Sequence, residues 1–298
     1  MKLSESEIKD RLSDLTDCVI LHILSFLNTK DAVQTCILSP RYKDLWKRVP
    51  ALVLHSTDFQ TYKKFTKFVS KVLSLRDSSI SLQTLDFKRD VGRLNPDILK
   101  MIVEYVVSHN VQRLGLFVVG GIAQIPPIMF SCQTITHLKL CIYNKGGHET
   151  VFPKSFNLSA LTSLQLQNVE FCVGNNDRAE PFSTFNKLNS LLISNCTVSA
   201  SKILCISNST LVSLTMYNKF IDHKNYTIEL STPSLCTFSF TGNPMKLYGK
   251  DVSSLKHVDI YANANPYQKE PPLFLFSWLL EFPNIKSLTV SDSTLQVP

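Results

Sequence analysis

The chain has no glycine-rich phosphate loop, no His-Glu-x-x-His motif and no nucleophile elbow. Nucleotide-binding, metalloprotease and hydrolase signatures are therefore excluded. Glycine pairs such as Gly120-Gly121 and Gly146-Gly147-His148 are isolated and mark turns. The cysteines (18, 36, 132, 141, 172, 196, 205 and 236) are scattered, with no pair at zinc-knuckle spacing. Reduced, mostly buried thiols and no metal site are expected. His22, His137 and His257 also lack metal-ligand spacing, so neither catalysis nor a cofactor is expected of this chain. No apolar run approaches the ~20 residues of a spanning helix. The most apolar stretch, residues 272–280, falls well short of that. Charged residues make up only 18% of the chain, and the net +7 is spread without a basic block. That argues against nucleic acid as a partner. Residues 1–10 are charged throughout and lack a signal peptide's apolar core. A soluble intracellular protein of the nucleus or cytoplasm, without membrane attachment, is expected. The sequons at Asn157, Asn195, Asn208 and Asn225 then read as polar turns.

What is present begins with residues 12–46, LSDLTDCVILHILSFLNTKDAVQTCILSPRYKDLW. This stretch reads as three short amphipathic helices. The first starts at Thr16 as a cap, with Asp17 at the positive end of the helix dipole. Val19, Ile20, Ile23, Leu24 and Leu27 follow at helical spacing. Thr29 caps a second helix carrying Ala32, Val33, Cys36 and Ile37. Ser39-Pro40 opens a third carrying Tyr42, Leu45, Trp46 and Val49. Three helices this short cannot cover so many large apolar side chains, so some must face a partner or the rest of the chain.

Leu15, Val19, His22-Ile23-Leu24-Ser25-Phe26-Leu27, Thr29-Lys30-Asp31-Ala32-Val33, Leu38-Ser39, Arg41 and Leu45-Trp46 carry a family pattern. In them the stretch resembles the F-box of the large plant F-box/leucine-rich-repeat proteins of the FBD-associated type. Thr16 stands where the family usually has proline, Pro40 where it has a basic or polar residue, and Tyr42 where it has tryptophan. The resemblance implies docking on a Skp-type adaptor, and through it a cullin, within a ubiquitin ligase. By motif position it implies Leu15, Ile23, Leu24, Leu27, Leu38, Tyr42, Leu45 and Trp46 at that interface.

After the F-box (8–50), residues 51–80 read as a linker with a short strand at 51–54 and an amphipathic helix over 58–75. That helix has Tyr62, Phe65, Val69, Val72 and Leu73 on one face and lysines on the other. From 81 to 298 an apolar-x-x-apolar-x-apolar element recurs, starting at Leu82, Val111, Ile135, Leu161, Leu188, Leu211, Leu235, Leu255 and Ile285. Its period is that of leucine-rich repeats. The fold class is therefore α/β: a helical F-box followed by a solenoid with a parallel concave sheet. A helix starting at Asn95-Pro96 fills the first long return, and turns or single helical turns are expected in the later ones.

Residues alternating with the buried positions form the concave face. Arg113, Phe117, His137, Lys139, Gln165, Tyr217, His257 and Tyr261 are its candidate target-binding residues. Hydroxyls fill the middle of the arc, and aromatic and arginine anchors suit a protein ligand. The expected role is a substrate-recognition adaptor for an unidentified target protein. Two alternatives stand beside it: a small-molecule-sensing receptor, and a scaffold with no ligase role. The last strand is followed only by residues 291–298, without the FBD segment common in such proteins. Either a poorly protected C-terminal edge is expected, or a makeshift cap formed by Leu295 and Val297.

Overall fold

The structure, a computed structural model, describes residues 14–89, 91–92, 94–143, 151–153, 157–172, 177–198, 203–218, 226–262, 271–291 and 294, without the side chains of 271–274. Residues 8–13, Gly146-Gly147-His148, Asn225, Leu295 and Val297 lie outside this set.

Each copy of the repeated element becomes one strand of a ten-stranded parallel sheet. Its strands are β1 (Ala51–His55), β2 (Thr84–Lys88), β3 (Arg113–Val119), β4 (His137–Tyr143), β6 (Ser163–Gln167), β9 (Ser190–Ser194), β12 (Ser213–Asn218), β14 (Thr237–Gly242), β16 (His257–Ala262) and β17 (Ser287–Val290). Between them lie short strands in two further sheets. One contains β5 (Val151–Phe152), β7 (Glu170–Phe171) and β10 (Thr197–Val198). The other contains β8 (Arg178–Ala179), β11 (Ile203–Ser207), β13 (Thr227–Ser231) and β15 (Leu247–Asp251).

In the main sheet the register runs unbroken through equivalent motif positions. Leu52 pairs with Leu85, then Leu114, Leu138, Leu164, Leu191, Leu214, Phe238, Val258 and Leu288. A slip of one residue would turn every one of these apolar side chains to water, so the alternation fixes the register. Hydroxyls reinforce the stacking between coils. Thr136 Oγ1 donates to the Gln112 carbonyl, Thr162 Oγ1 to that of Thr136, and Thr210 Oγ1 to that of Leu188.

The segment expected to be a linker is instead the first coil of the solenoid. β1 joins the sheet beside β2, and α3 (Tyr62–Leu75) is its return, burying Phe65, Val69, Val72 and Leu73. The signal was present in the sequence, because Val49, Leu52 and Leu54 keep the spacing of the repeat. Thr61 caps α3 by accepting from Lys64 N. Asn95 likewise caps α4 (Pro96–Ser108) by accepting from Asp97 N.

The return after β3 holds the single helical turns expected, Ile122–Gln124 and Pro127–Ser131, but those after it differ. Several are strands, because segments such as Ile203-Leu204-Cys205-Ile206 offer inward apolar residues and pair in parallel with the neighbouring return. The apolar stretch near the end forms α5 (Pro271–Glu281). Its Trp278 is fully buried and donates Nε1–H to the Met245 carbonyl at 2.9 Å. Beyond it β17 is largely exposed, with Leu288 at 44%. Thr294 folds back on the end of β16, its Oγ1 accepting from Ala262 N at 2.9 Å.

Candidate functional site

The F-box stretch forms α1 (Asp17–Leu24) and α2 (Thr29–Gln34), then three 3-10 turns, Thr35–Ile37, Pro40–Lys43 and Leu45–Arg48. The third expected helix is therefore a pair of tighter turns, with Ser39 accepting from Arg41 N and Pro40 at the first position. Two caps also differ. The Thr16 hydroxyl contacts Cys18 Sγ at 3.0 Å rather than an amide. Asn28, not Thr29, caps α2 by accepting from Asp31 N at 2.8 Å. Thr29 is buried because its Oγ1 accepts the Val53 amide of β1 at 2.8 Å, a tie between F-box and solenoid. Arg41 closes the module, donating to Asp17 Oδ1 at 2.7 Å and to the Leu15 carbonyl.

This packing divides the eight residues implied at the adaptor interface. Ile23, Leu27 and Leu38 are exposed, and Leu15 is half-buried. Leu24, Tyr42, Leu45 and Trp46 are buried. Ile20, Leu24, Tyr42, Leu45 and Val49 form the module's own small cluster. Trp46 instead joins the core of the solenoid together with Ala32. The physical reason for the split is continuity of the chain: the turn carrying Leu45 and Trp46 runs directly into β1, so Trp46 meets the solenoid core while Leu45 packs back on the module.

In place of the buried set, Val19, Phe26 and Ile37 are exposed, with Ile37 at 82%, Phe26 at 76% and Leu38 at 72%. Apolar residues that water reaches to this extent, all within residues 19–38, are candidates for contact with a partner. Phe26 meets the His22 ring in a T-shaped contact, with centroids 4.9 Å apart. The available signal was phase: α1 has apolar residues on more than one side, and only the side of Ile20 and Leu24 can go in.

The second surface is the concave face. All eight candidate target-binding residues sit on its outward positions, in two groups. Arg113, His137, Lys139 and Gln165 line one recess of about 180 Å³ with Asp86 and Gly115. Phe117 lines an adjoining recess of about 290 Å³ with His55, Lys88 and Gln167. Tyr217, His257 and Tyr261 lie farther along the arc, on β12 and β16.

Gly115 is the gap in the row Asp86–Gly115–Lys139–Gln165. A Cβ there would stand 2.5 Å from Asp86 Oδ1, so the missing side chain is what lets Asp86 lie across it. Asp86 Oδ2 is 3.6 Å from His55 Nε2, its one ion-pair contact among the described residues. Burial, and then the nearby Arg113 guanidinium, lower the His137 pKa below its ordinary value, which favours the neutral ring at pH 7. Lys88 lies over the Phe117 ring, 5.3 Å from its centroid.

The arrangement offers charge, hydrogen bonding and apolar contact. Among the described residues no cluster of three or more His, Cys, Asp or Glu could hold a metal ion. Among them, too, no helix is long and apolar enough to cross a membrane.

The F-box domain family matches residues 12–53. Along nearly its whole length the chain is similar to repeat proteins of Arabidopsis thaliana. It is 29% identical to a putative F-box/FBD/LRR-repeat protein, over 97% of this chain and 65% of that one. To F-box/LRR-repeat protein 13 it is 27% identical, over 98% of this chain and 67% of the relative. To an FBD-associated F-box protein it is 30% identical, over 82% of this chain and 49% of the relative. The chain thus spans about half to two thirds of the length of these relatives.

Proposed function

We propose that this F-box-bearing leucine-rich-repeat chain is a substrate-recognition adaptor of a Skp–cullin–F-box ubiquitin ligase. F-box domains generally bind Skp-type adaptors, and repeat proteins that carry them are typically non-catalytic adaptors. The apolar face of residues 19–38 docks on the Skp-type protein and so reaches a cullin. The concave arc holds a target protein. Ubiquitin transfer is left to the other subunits, and the chain contributes by holding the target near them at high effective concentration.

One observation carries this reading: Phe26, Ile37 and Leu38 stay in water while Trp46, from the same short module, is buried in the solenoid. A module fixed at one side and apolar at the other is a connector. Titration of the purified chain with a purified Skp-type adaptor tests it. Binding at micromolar or lower concentration is expected, and no binding at tens of micromolar would remove the ligase reading. The small-molecule-receptor alternative has less support. The concave recesses, about 180 and 290 Å³, are open and fall below the ~300–1,000 Å³ usual for small-molecule sites.

A further inference from the structure

The concave face is unevenly charged. From β6 to β14 its outward positions are Ser, Gln, Leu, Thr and Tyr, none of them charged. The cations gather on β2 to β4, with Arg113 and Lys139 set around the gap at Gly115. Neither side chain makes an ion pair or hydrogen bond among the described residues. Asp86, the carboxylate in the recess, is within 4 Å of His55 and of neither Arg113 nor Lys139. The neutral tendency of His137 fits the same picture, since the Arg113 charge disfavours a further proton beside it. In the adjoining recess, His55 Nε2 is buried without a hydrogen-bond partner among the described residues. Two permanent cations against the single carboxylate of Asp86 leave the recess with a net positive charge, a potential that a ligand anion would relieve.

Taking the adaptor reading as its basis, we propose that the recess lined by Arg113 and Lys139 receives, on their side and away from Asp86, an anionic side-chain group from an extended segment of the target. The group is a carboxylate or a phosphorylated hydroxyl, both of which match the planar donor fork of Arg113 with Lys139 as a point charge. The segment then crosses the uncharged strands toward Tyr217. From β4 to β12 is three strand spacings, about 15 Å. An extended chain covers that distance in roughly five residues. The recognised pattern is therefore an acidic or phosphorylated residue followed or preceded, about five residues away, by an apolar or aromatic one.

Fluorescence anisotropy with the full chain tests this. The probes are labelled peptides carrying Glu, phosphoserine, Gln or Lys at one position and Tyr about five residues away. The Glu or the phosphoserine peptide is expected to bind at least about ten-fold tighter than the Gln peptide. The preferred arm identifies which anion the site takes. Affinity should fall with added salt, and Arg113→Gln with Lys139→Gln should abolish the preference. Equal affinity for all four peptides, no binding at millimolar concentration, or a preference that survives both substitutions would overturn the proposal. The same preparations are titrated with the Skp-type adaptor. Adaptor binding without an anion preference defeats this inference alone, and an anion preference without adaptor binding defeats the ligase reading alone.

Discussion

Tyr42 stands where the F-box pattern usually has tryptophan, and its ring is packed with Ile20, Leu24, Leu45 and Val49. Replacing it with tryptophan acts on packing, not on the partner face. Tyr42→Trp is expected to lower stability by about 1–3 kcal/mol through overpacking while adaptor affinity stays within about two-fold. Ile37→Asp and Leu38→Asp should do the reverse, weakening adaptor binding at least about ten-fold with the melting midpoint unchanged. Calorimetric melting and adaptor titration of the three variants separate the cases. A large affinity change for Tyr42→Trp would mean that the ring reaches the partner.

His137 offers a pH test at the same scale. Its folded pKa lies below the unfolded value of 6.5 because burial and Arg113 disfavour the proton. The unfolded chain thus binds more protons there, so this contribution to stability is present above about pH 6.5 and is lost as pH falls. Histidine NMR titration should show Arg113→Gln raising the His137 pKa. An unchanged value would leave burial as its only cause. Burial likewise pushes the Cys196 thiol up to about 12. A thiol reagent at pH 8 should therefore modify exposed Cys18 and leave Cys196 intact in the folded protein.

At the scale of elements, the join between F-box and solenoid depends on one buried cation. Arg76, at the end of α3, donates to the carbonyls of Val49, Ile80 and Ser81 at 3.2, 2.7 and 3.2 Å. The Val49 carbonyl belongs to the F-box side, so the guanidinium ties the module to the first coil. Arg76→Met leaves those carbonyls without their donor and should cost on the order of 3 kcal/mol in chemical denaturation. A loss below about 1 kcal/mol would show that the loop finds other donors. Nothing in the sequence pattern pointed to Arg76, because its value comes from carbonyls brought together by the turn after α3. By contrast α3 and α4 were legible, since their apolar stripes and capping residues Thr61 and Asn95 are local. The strands in the middle returns were not. Two-residue pairings such as β7 with β10 exist only once neighbouring coils are stacked.

Across the whole molecule the solenoid is a stack in which each coil is stabilised by its neighbours. The F-box covers the β1 end of the sheet, whereas β17 at the other edge exposes Leu288, and Thr294 bonds to β16 rather than to β17. Native-state hydrogen exchange should therefore show slow amides through β2 to β12 and faster ones in β17. Uniform protection along the sheet would mean that the C-terminal edge is better covered than the described residues show.

The sequence by itself determined where the strands lie and which side chains point inward. The repeated apolar spacing admits one register, and any slip would expose a whole row of leucines. It therefore also determined which residues line the concave face, and aligning the copies already places Arg113 beside His137. What only the tertiary structure decided is the orientation of the short F-box helices. Their apolar residues occupy several sides, so no local preference selects which side goes in. Packing against β1 made that choice. It buried Trp46, while Tyr42 closed into the module's own cluster and Phe26, Ile37 and Leu38 stayed in water.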